Sequence, residues 1–302
     1  MQQRHHKTLP LRSAILSSTR DFFRKKGYME VETPVCLTAP IPEPHIHALP
    51  AACGYLQTSP EICMKQLLSA GFEKIFQICR CFRASERGRR HLPEFTMLEW
   101  YAAGQTYTGL MHNCEALMEQ IRTDLSLPAE CTWQSQTIQT APPWPRMRVA
   151  EAFSRFGGQS MESALAEGTF DEIMGLAIEP QLGFARPVFL CDYPAKTSLL
   201  ASPKPREPEL AQRFELYMAG LEICNGCTEL ADAELQKKRL EEELERRRKA
   251  DLPLTPPPTR FLEALEAMPE AAGCALGIDR LVMLLTDSAE IDEVVAFPPE
   301  PP

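Results

Sequence analysis

The stretch CRCFRASERGRRHLPEFTMLEWY, residues 79–101, sets five arginines between Arg80 and Arg90, then His91, Glu94 and Glu99. Guanidinium carries fixed charge and planar donors that suit phosphate and carboxylate oxygens. The run reads either as a solvated loop or as a site where an anion is handled beside a cation. Two more stretches offer matching chemistry. Glu215 and Glu222 flank a turn near Ala219–Gly220 and fall about opposite each other. Carboxylates so placed repel unless a hard cation such as Mg2+ lies between them. Arg280 opens a helix after GCALG, an end that favours anions. Each feature alone has an ordinary reading, as outward-facing sheet acids or a solvated arginine. His45 with His47, and the CxxC Cys224–Cys227, are weaker still as metal or redox sites, because no second cysteine pair sits at zinc spacing.

The elements that must position these groups can be read from periodicity. In 94–101, Phe95, Met97, Glu99 and Tyr101 share one strand face, and in 74–83 so do Gln77, Cys79, Cys81 and Arg83. An antiparallel hairpin of the two with coinciding faces puts an arginine near a carboxylate and a phenol on the floor of a cleft. Helices are expected over 11–26, with Leu11, Ile15, Phe22 and Phe23 on one stripe, and over about 107–125. Between them, "YMEVETP" alternates as a strand, and Ser59 caps a helix that has Pro60 as its first residue and ends at Gly71. "RPVFLCDYP" reads as a buried strand, and "RFELYMAGLEICNG" as a second hairpin. The run 234–249 sets Glu242 against Arg246 and Glu243 against Arg247, the pattern of a solvated helix face. "GCALGIDRLVMLL" reads as a glycine-rich turn opening into an apolar helix, and the polar, proline-rich 127–147 as an internal connection. Strands separated by helices without regular βαβ alternation predict an α+β fold, an antiparallel sheet flanked by helices.

The 302 residues can bury a sizeable core, as one large domain or two small ones. The net charge of −9, with a pI near 5.3, argues against a protein that coats nucleic acid, although a local basic patch can meet an acidic partner. No run of about 18 apolar residues occurs and the N-terminus is polar, so neither a membrane span nor a signal peptide is expected. Eleven cysteines, an odd number in a chain without a secretion signal, predict reduced thiols in the cytoplasm, mostly packed in the core.

"RDFFRKKGYMEVETP", "FRASERGRRHLPEFTMLEWY" and "GCALGIDRLVMLL" resemble, in order, motifs 1, 2 and 3 of the class II aminoacyl-tRNA synthetases. "LQTSPEICMKQLL" and "RFELYMAGLEICNGCTELADAELQ" are similar to the lysyl branch, and the resemblance covers residues 12–297. It implies that an amino-acid carboxylate attacks the α-phosphate of ATP to give an adenylate. In that likeness Arg83 contacts the α-phosphate and carboxylate, Arg280 grips the γ-phosphate, and Glu215 and Glu222 hold Mg2+. The ATP site would also include Ala84, Ser85, Glu86, Leu92, Phe95, Ile223 and Gly277. Lysine would be held by Ser59, Pro60, Glu61, Glu99, Tyr101, Asn225, Glu229 and Ala275, because a substrate with two ammonium groups needs several carboxylates.

Motif 1 begins about a dozen residues into the chain, so the resemblance implies a single catalytic domain over 1–302 with no OB-fold ahead of it. That architecture resembles the truncated relatives that attach (R)-β-lysine to a lysine of translation elongation factor P. Ala275, where tRNA-charging relatives usually have glycine, resembles the same branch. The likeness implies a homodimer built through motif 1, elongation factor P as partner in place of tRNA, and a basic loop Arg87–His91 that receives it. Two positions depart from the pattern. Ala84-Ser85 stands where Asn-Glu is usual, with Glu86 one residue later, and Leu92 stands where asparagine commonly contacts ATP. The alternatives are a free-standing adenylate enzyme serving tRNA or a small molecule, and a synthetase-like scaffold without catalysis.

Overall fold

The computed structural model describes residues 2–299. Helix α1 (Gln2–Lys25) reaches further back than the apolar stripe predicts and runs through Pro10. Gly27, at φ 78°, stops it in the left-handed region that glycine tolerates. The "YMEVETP" strand shrinks to β1 (Met29–Glu30), paired parallel to Ile75 and Phe76. Strands β2 (Cys36–Leu37), β3 (Pro50–Ala51) and β4 (Gly54–Leu56) form a small separate sheet. Here the expectation of reduced cysteines fails: Cys36 and Cys53 form a disulfide. The β3–β4 turn brings their Cα atoms to 6.2 Å, within bridging range, a long-range juxtaposition that cysteine counting does not reveal.

Helix α2 (Glu61–Ser69) starts one residue later than expected, with Pro60 as the cap residue and Ser59 Oγ accepting from the Glu61 amide at 3.0 Å. The hairpin β5 (Lys74–Phe82) and β6 (Glu94–Ala103) has the register Gln77–Glu99 and Cys81–Phe95, so the two functional faces coincide. Helix α3 (Tyr107–Asp124) buries Leu110, Cys114, Leu117 and Ile121 as its spacing predicts. The 127–147 stretch carries more structure than its composition suggests. It contains β7 (Glu130–Trp133), β8 (Gln136–Gln139) and the start of β9 (Arg146–Arg148), and buries Trp133, Ile138 and Trp144 in the main core.

Short helices α4 (Val149–Ala152), α5 (Met161–Glu167) and α6 (Phe170–Ile173) gather around Phe153 as a second cluster. Strand β10 (Val188–Cys191) is buried throughout. The hairpin β11 (Arg213–Met218) and β12 (Leu221–Thr228) turns at Ala219–Gly220, both with positive φ, as a tight two-residue hairpin turn requires. Helices α7 (Ala233–Lys249) and α8 (Thr259–Leu265) follow. GCALG is not a turn. It ends β13 (Ala271–Gly277), a central strand that runs directly into α9 (Ile278–Leu285).

The large sheet has the order β1-β5-β6-β13-β12-β11-β10-β9 and is mixed: its central strands are antiparallel, while both edge pairings, β1–β5 and β10–β9, are parallel. One face packs α1, α3 and α9 through Phe23, Trp100, Leu110 and Leu281. The opposite face, bordered by α2, α7 and α8, carries Glu99, Tyr101 and Glu229.

The solvated-face reading of α7 holds for Glu242 but not for the neighbouring pair. Glu243 and Arg247 are buried 3.1 Å apart, and Arg247 also donates to the carbonyls of Glu43 and Ile46, tying α7 to the loop that overhangs the cleft.

Candidate active site

A cleft of about 760 Å³ opens on the face of the central strands bordered by α2, α7 and α8. Strand alternation supplies its floor. Glu99 lies there almost fully buried, accepting from Ser59 Oγ at 2.6 Å and Tyr101 Oη at 2.8 Å. Burial first, then the nearby Glu61 charge, push its carboxyl well above the ordinary range, against both hydrogen bonds. Glu229, from the end of β12, is equally buried, and burial pushes it up to about 7 despite a cation beside it. That cation is Lys65 of α2, 2.5 Å from both Glu61 and Glu229. Ala275 pairs with Glu99 on one side and Asn225 on the other, which sets its methyl between them in the wall.

The other end of the cleft is basic. Arg83 leaves β5 with its guanidinium 5.1 Å from the centre of the Phe95 ring and 3.8 Å from Glu86. Arg280, in the first turn of α9, donates to the Glu222 carboxylate at 3.1 Å, the Glu222 carbonyl at 2.8 Å and His91 Nε2 at 2.6 Å. His91 is neutral there: burial and the Arg280 charge pull it down to about 4. Leu92, Ile223 and Gly277 line the same end, and a methyl on Gly277 would meet only ordinary contacts with Arg280. Pro60, Ala84 and Ser85 do not line the cleft. Ser85 adopts positive φ in the motif-2 loop, and the Ala84 amide bonds the His47 carbonyl.

Glu215 and Glu222 are not directly opposite. Counting back from the two-residue turn sets Glu222 against Tyr217, and a bulge between Leu216 and Tyr217 then sets Glu215 against Asn225, leaving the two acids diagonal. Glu215 is held on every side, by Arg213 at 2.5 Å, Asn225 at 3.2 Å, and the Tyr193 and Tyr217 hydroxyls at 2.6 Å. Nearby Glu179 is pushed to about 7 by burial and by the charges of Glu215 and Glu222. Hard oxygen donors with surplus negative charge, one of them fixed by hydrogen bonds, fit a Mg2+ ion.

The chain matches the family described as tRNA synthetases class II (D, K and N) over residues 1–301. It belongs to that family. An elongation factor P–(R)-β-lysine ligase of Erwinia tasmaniensis is 38% identical over 304 residues, covering 95% of this chain and 93% of that protein. One from Haemophilus influenzae is 37% identical over 305 residues, covering 96% and 94%. A lysine–tRNA ligase of Nitrosomonas europaea is 35% identical over 315 residues, covering 95% of this chain and 62% of that protein. The chain is thus a ligase-class enzyme on the class II synthetase fold.

Within this synthetase-like site, sequence reasoning missed Lys65, Arg213, Tyr193 and Glu179. Two of these had a legible signal: Lys65 stands four residues after Glu61 on a helix, and Arg213 two residues before Glu215 on a strand. The remaining sequence candidates are not brought together as sites. His45 pairs with Asp171 at 3.2 Å, both exposed at the rim of the cleft. The CxxC sulfurs diverge: Cys227 borders the cleft, while Cys224 joins Cys114 and Cys274 in the apolar core, their sulfurs within 4.8 Å of one another. Burial holds Cys224 and Cys274 far above the ordinary thiol range, so they pack as small apolar groups. Among the described residues no helix is long and apolar enough to cross a membrane.

Proposed function

We propose that this enzyme activates (R)-β-lysine or lysine with ATP and transfers it to a lysine side chain of translation elongation factor P. One observation carries the reading: a single trough offers the guanidinium groups of Arg83 and Arg280 at one end and the carboxylates of Glu61, Glu99 and Glu229 at the other. A nucleotide triphosphate needs the first set and a diamino acid the second. The factor is favoured over tRNA as acceptor because the factor-modifying relatives correspond along nearly the whole of both chains.

The amino-acid carboxylate is already ionised at neutral pH, so no base is required. Its oxygen attacks the α-phosphorus, and the bond to pyrophosphate breaks. Arg83 orients carboxylate and α-phosphate and stabilises the charge that builds between them, and Arg280 holds the γ-phosphate. Mg2+ held by Glu222 and Glu215 would neutralise phosphate charge. Glu61, Glu99 and Glu229 receive the two ammonium groups. In the second step the factor's amine attacks the acyl carbon, AMP leaves and the amine gives up a proton. A translation factor as acceptor goes with a cytoplasmic enzyme. The exposed Met29 and Val35, just after α1, suit a motif-1 homodimer.

ATP–pyrophosphate exchange with lysine, (R)-β-lysine and ornithine, followed by intact mass of elongation factor P, tests the reading. Exchange without a mass gain on the factor would turn it toward tRNA or a small acceptor.

The basic loop bears on the acceptor. Arg87 and Arg89 are not free: they pair with Asp292 at 2.8 Å and Glu290 at 2.6 Å. Exposed pairs of this kind contribute about 0–1 kcal/mol, so an acidic partner can displace them. Reversing both charges, Arg87→Glu with Arg89→Glu, is expected to slow factor modification about tenfold or more and leave exchange within twofold. Equal loss of both activities would remove the loop from acceptor docking.

A further inference from the structure

Lys65 is placed among the acids at the amino-acid end of the cleft and pairs with two of them. Its side chain is 1% exposed, with Nζ 2.5 Å from Glu61 and 2.5 Å from Glu229, and 5.9 Å from the centre of the Phe261 ring on α8. It does not line the cleft; the two carboxylates stand between it and the open space. The remaining oxygens of Glu61 and Glu229 are thereby left for whatever cation enters.

We propose that Lys65 is a positioning residue for substrate selection, a built-in counter-ion that aims Glu61 and Glu229 and trims the pocket's charge to that of a diamino acid. The inference rests on the lysine-type substrate read above. Once cations enter and hold them ionised, Glu61, Glu99 and Glu229 bring three negative charges and Lys65 one positive, so the set matches two ammonium groups, while the substrate carboxylate goes to Arg83. Without Lys65, two buried acids crowd each other with nothing fixed between them.

The arrangement has a pH signature. Glu229 is faced by Lys65 and Glu61 from α2, by Tyr101 from β6, which bonds Glu99, and by Cys227 two residues before it, with Glu43 of the overhanging loop near Glu61 and Lys65. Burial raises the Glu229 carboxyl to about 7, and Lys65 is the main influence pulling the other way. Removing the lysine lets it rise further, so less of the ionised form is present at neutral pH. Raising the pH restores that form, whereas the substrate's side-chain ammonium stays charged to about pH 9.

The test is amino-acid-dependent ATP–pyrophosphate exchange by full-length Lys65→Met between pH 7 and about 9. The expected result is an amino-acid KM raised about tenfold or more at pH 7, converging on wild type as pH rises, with the ATP KM within twofold. A merely structural lysine would change KM by the same factor at every pH, or lower only thermal stability, and either result overturns the proposal. Lys65→Ala, assayed with added propylammonium, keeps the test decisive if the methionine variant folds poorly. Propylammonium is expected to restore exchange to the alanine variant while competing with lysine in wild type, and absence of restoration counts against the counter-ion. Wild type without exchange on any diamino acid would instead defeat the functional reading itself.

Discussion

Replacing Arg83 by alanine is expected to lower lysine-dependent ATP–pyrophosphate exchange by about 10²–10³-fold, chiefly in kcat. The guanidinium stands where β5 leaves the sheet, braced by the Phe95 ring and leaning toward Glu86, and it faces the cleft. An arginine–aromatic contact of this kind contributes about 0.5–1 kcal/mol to stability. A preorganised donor on a developing phosphoryl charge contributes about 3–4 kcal/mol to the barrier. The variant should therefore unfold almost like wild type and still fail in the chemistry. Arg83→Lys should recover little, because an ammonium cannot span carboxylate and phosphate with a planar fork. Unimpaired exchange by the alanine variant would end the adenylation reading.

What the sequence revealed here is what local period can carry. That Glu99 and Tyr101 share one face, with Leu98 and Trp100 on the other, follows from strand alternation, because a slip of one residue would exchange the two sets; a slip of two would not, so the pairing of Gln77 with Glu99 comes from the fold. The ends of the cleft were legible through the resemblance instead, since Arg83, Glu99, Glu229 and Arg280 stand in the stretches similar to the class II synthetases, and all four line the cleft. Nonlocal facts were hidden. GCALG has the glycines of a turn, yet its small residues are what allow β13 to lie between β6 and β12 with both faces covered. Glu243 and Arg247 have the spacing of a solvated pair, and only the approach of the 43–46 loop buries them. The bulge at Leu216–Tyr217 was hidden as well: it sets Glu215 against Asn225, while the turn itself already puts Glu222 against Tyr217. Cys36 and Cys53 meet only because a small second sheet folds there.

Gly273→Ala is expected to raise the amino-acid KM about 100-fold while leaving the ATP KM within twofold. The argument is steric. A methyl at residue 273 would fall 2.1 Å from the Tyr101 ring and 2.5 Å from Glu229 Oε1, distances at which something must move. Neither neighbour moves cheaply. Tyr101 is buried and bonded to Glu99, and Glu229 is fixed by Lys65, so displacing either disturbs the whole set of acids. Overpacking of this kind also costs about 1–3 kcal/mol of stability, which by itself could mimic a site defect. Gly226→Ala separates the two effects. A methyl there points through the sheet, 2.7 Å from the Phe214 ring and 3.1 Å from Cys274 Cβ, away from the acids. It should lower the unfolding midpoint at least as much while the amino-acid KM stays near wild type. If both variants raise KM alike, the packing of Tyr101 against β13 has no special part in holding the substrate, and the acidic end of the trough must be drawn differently.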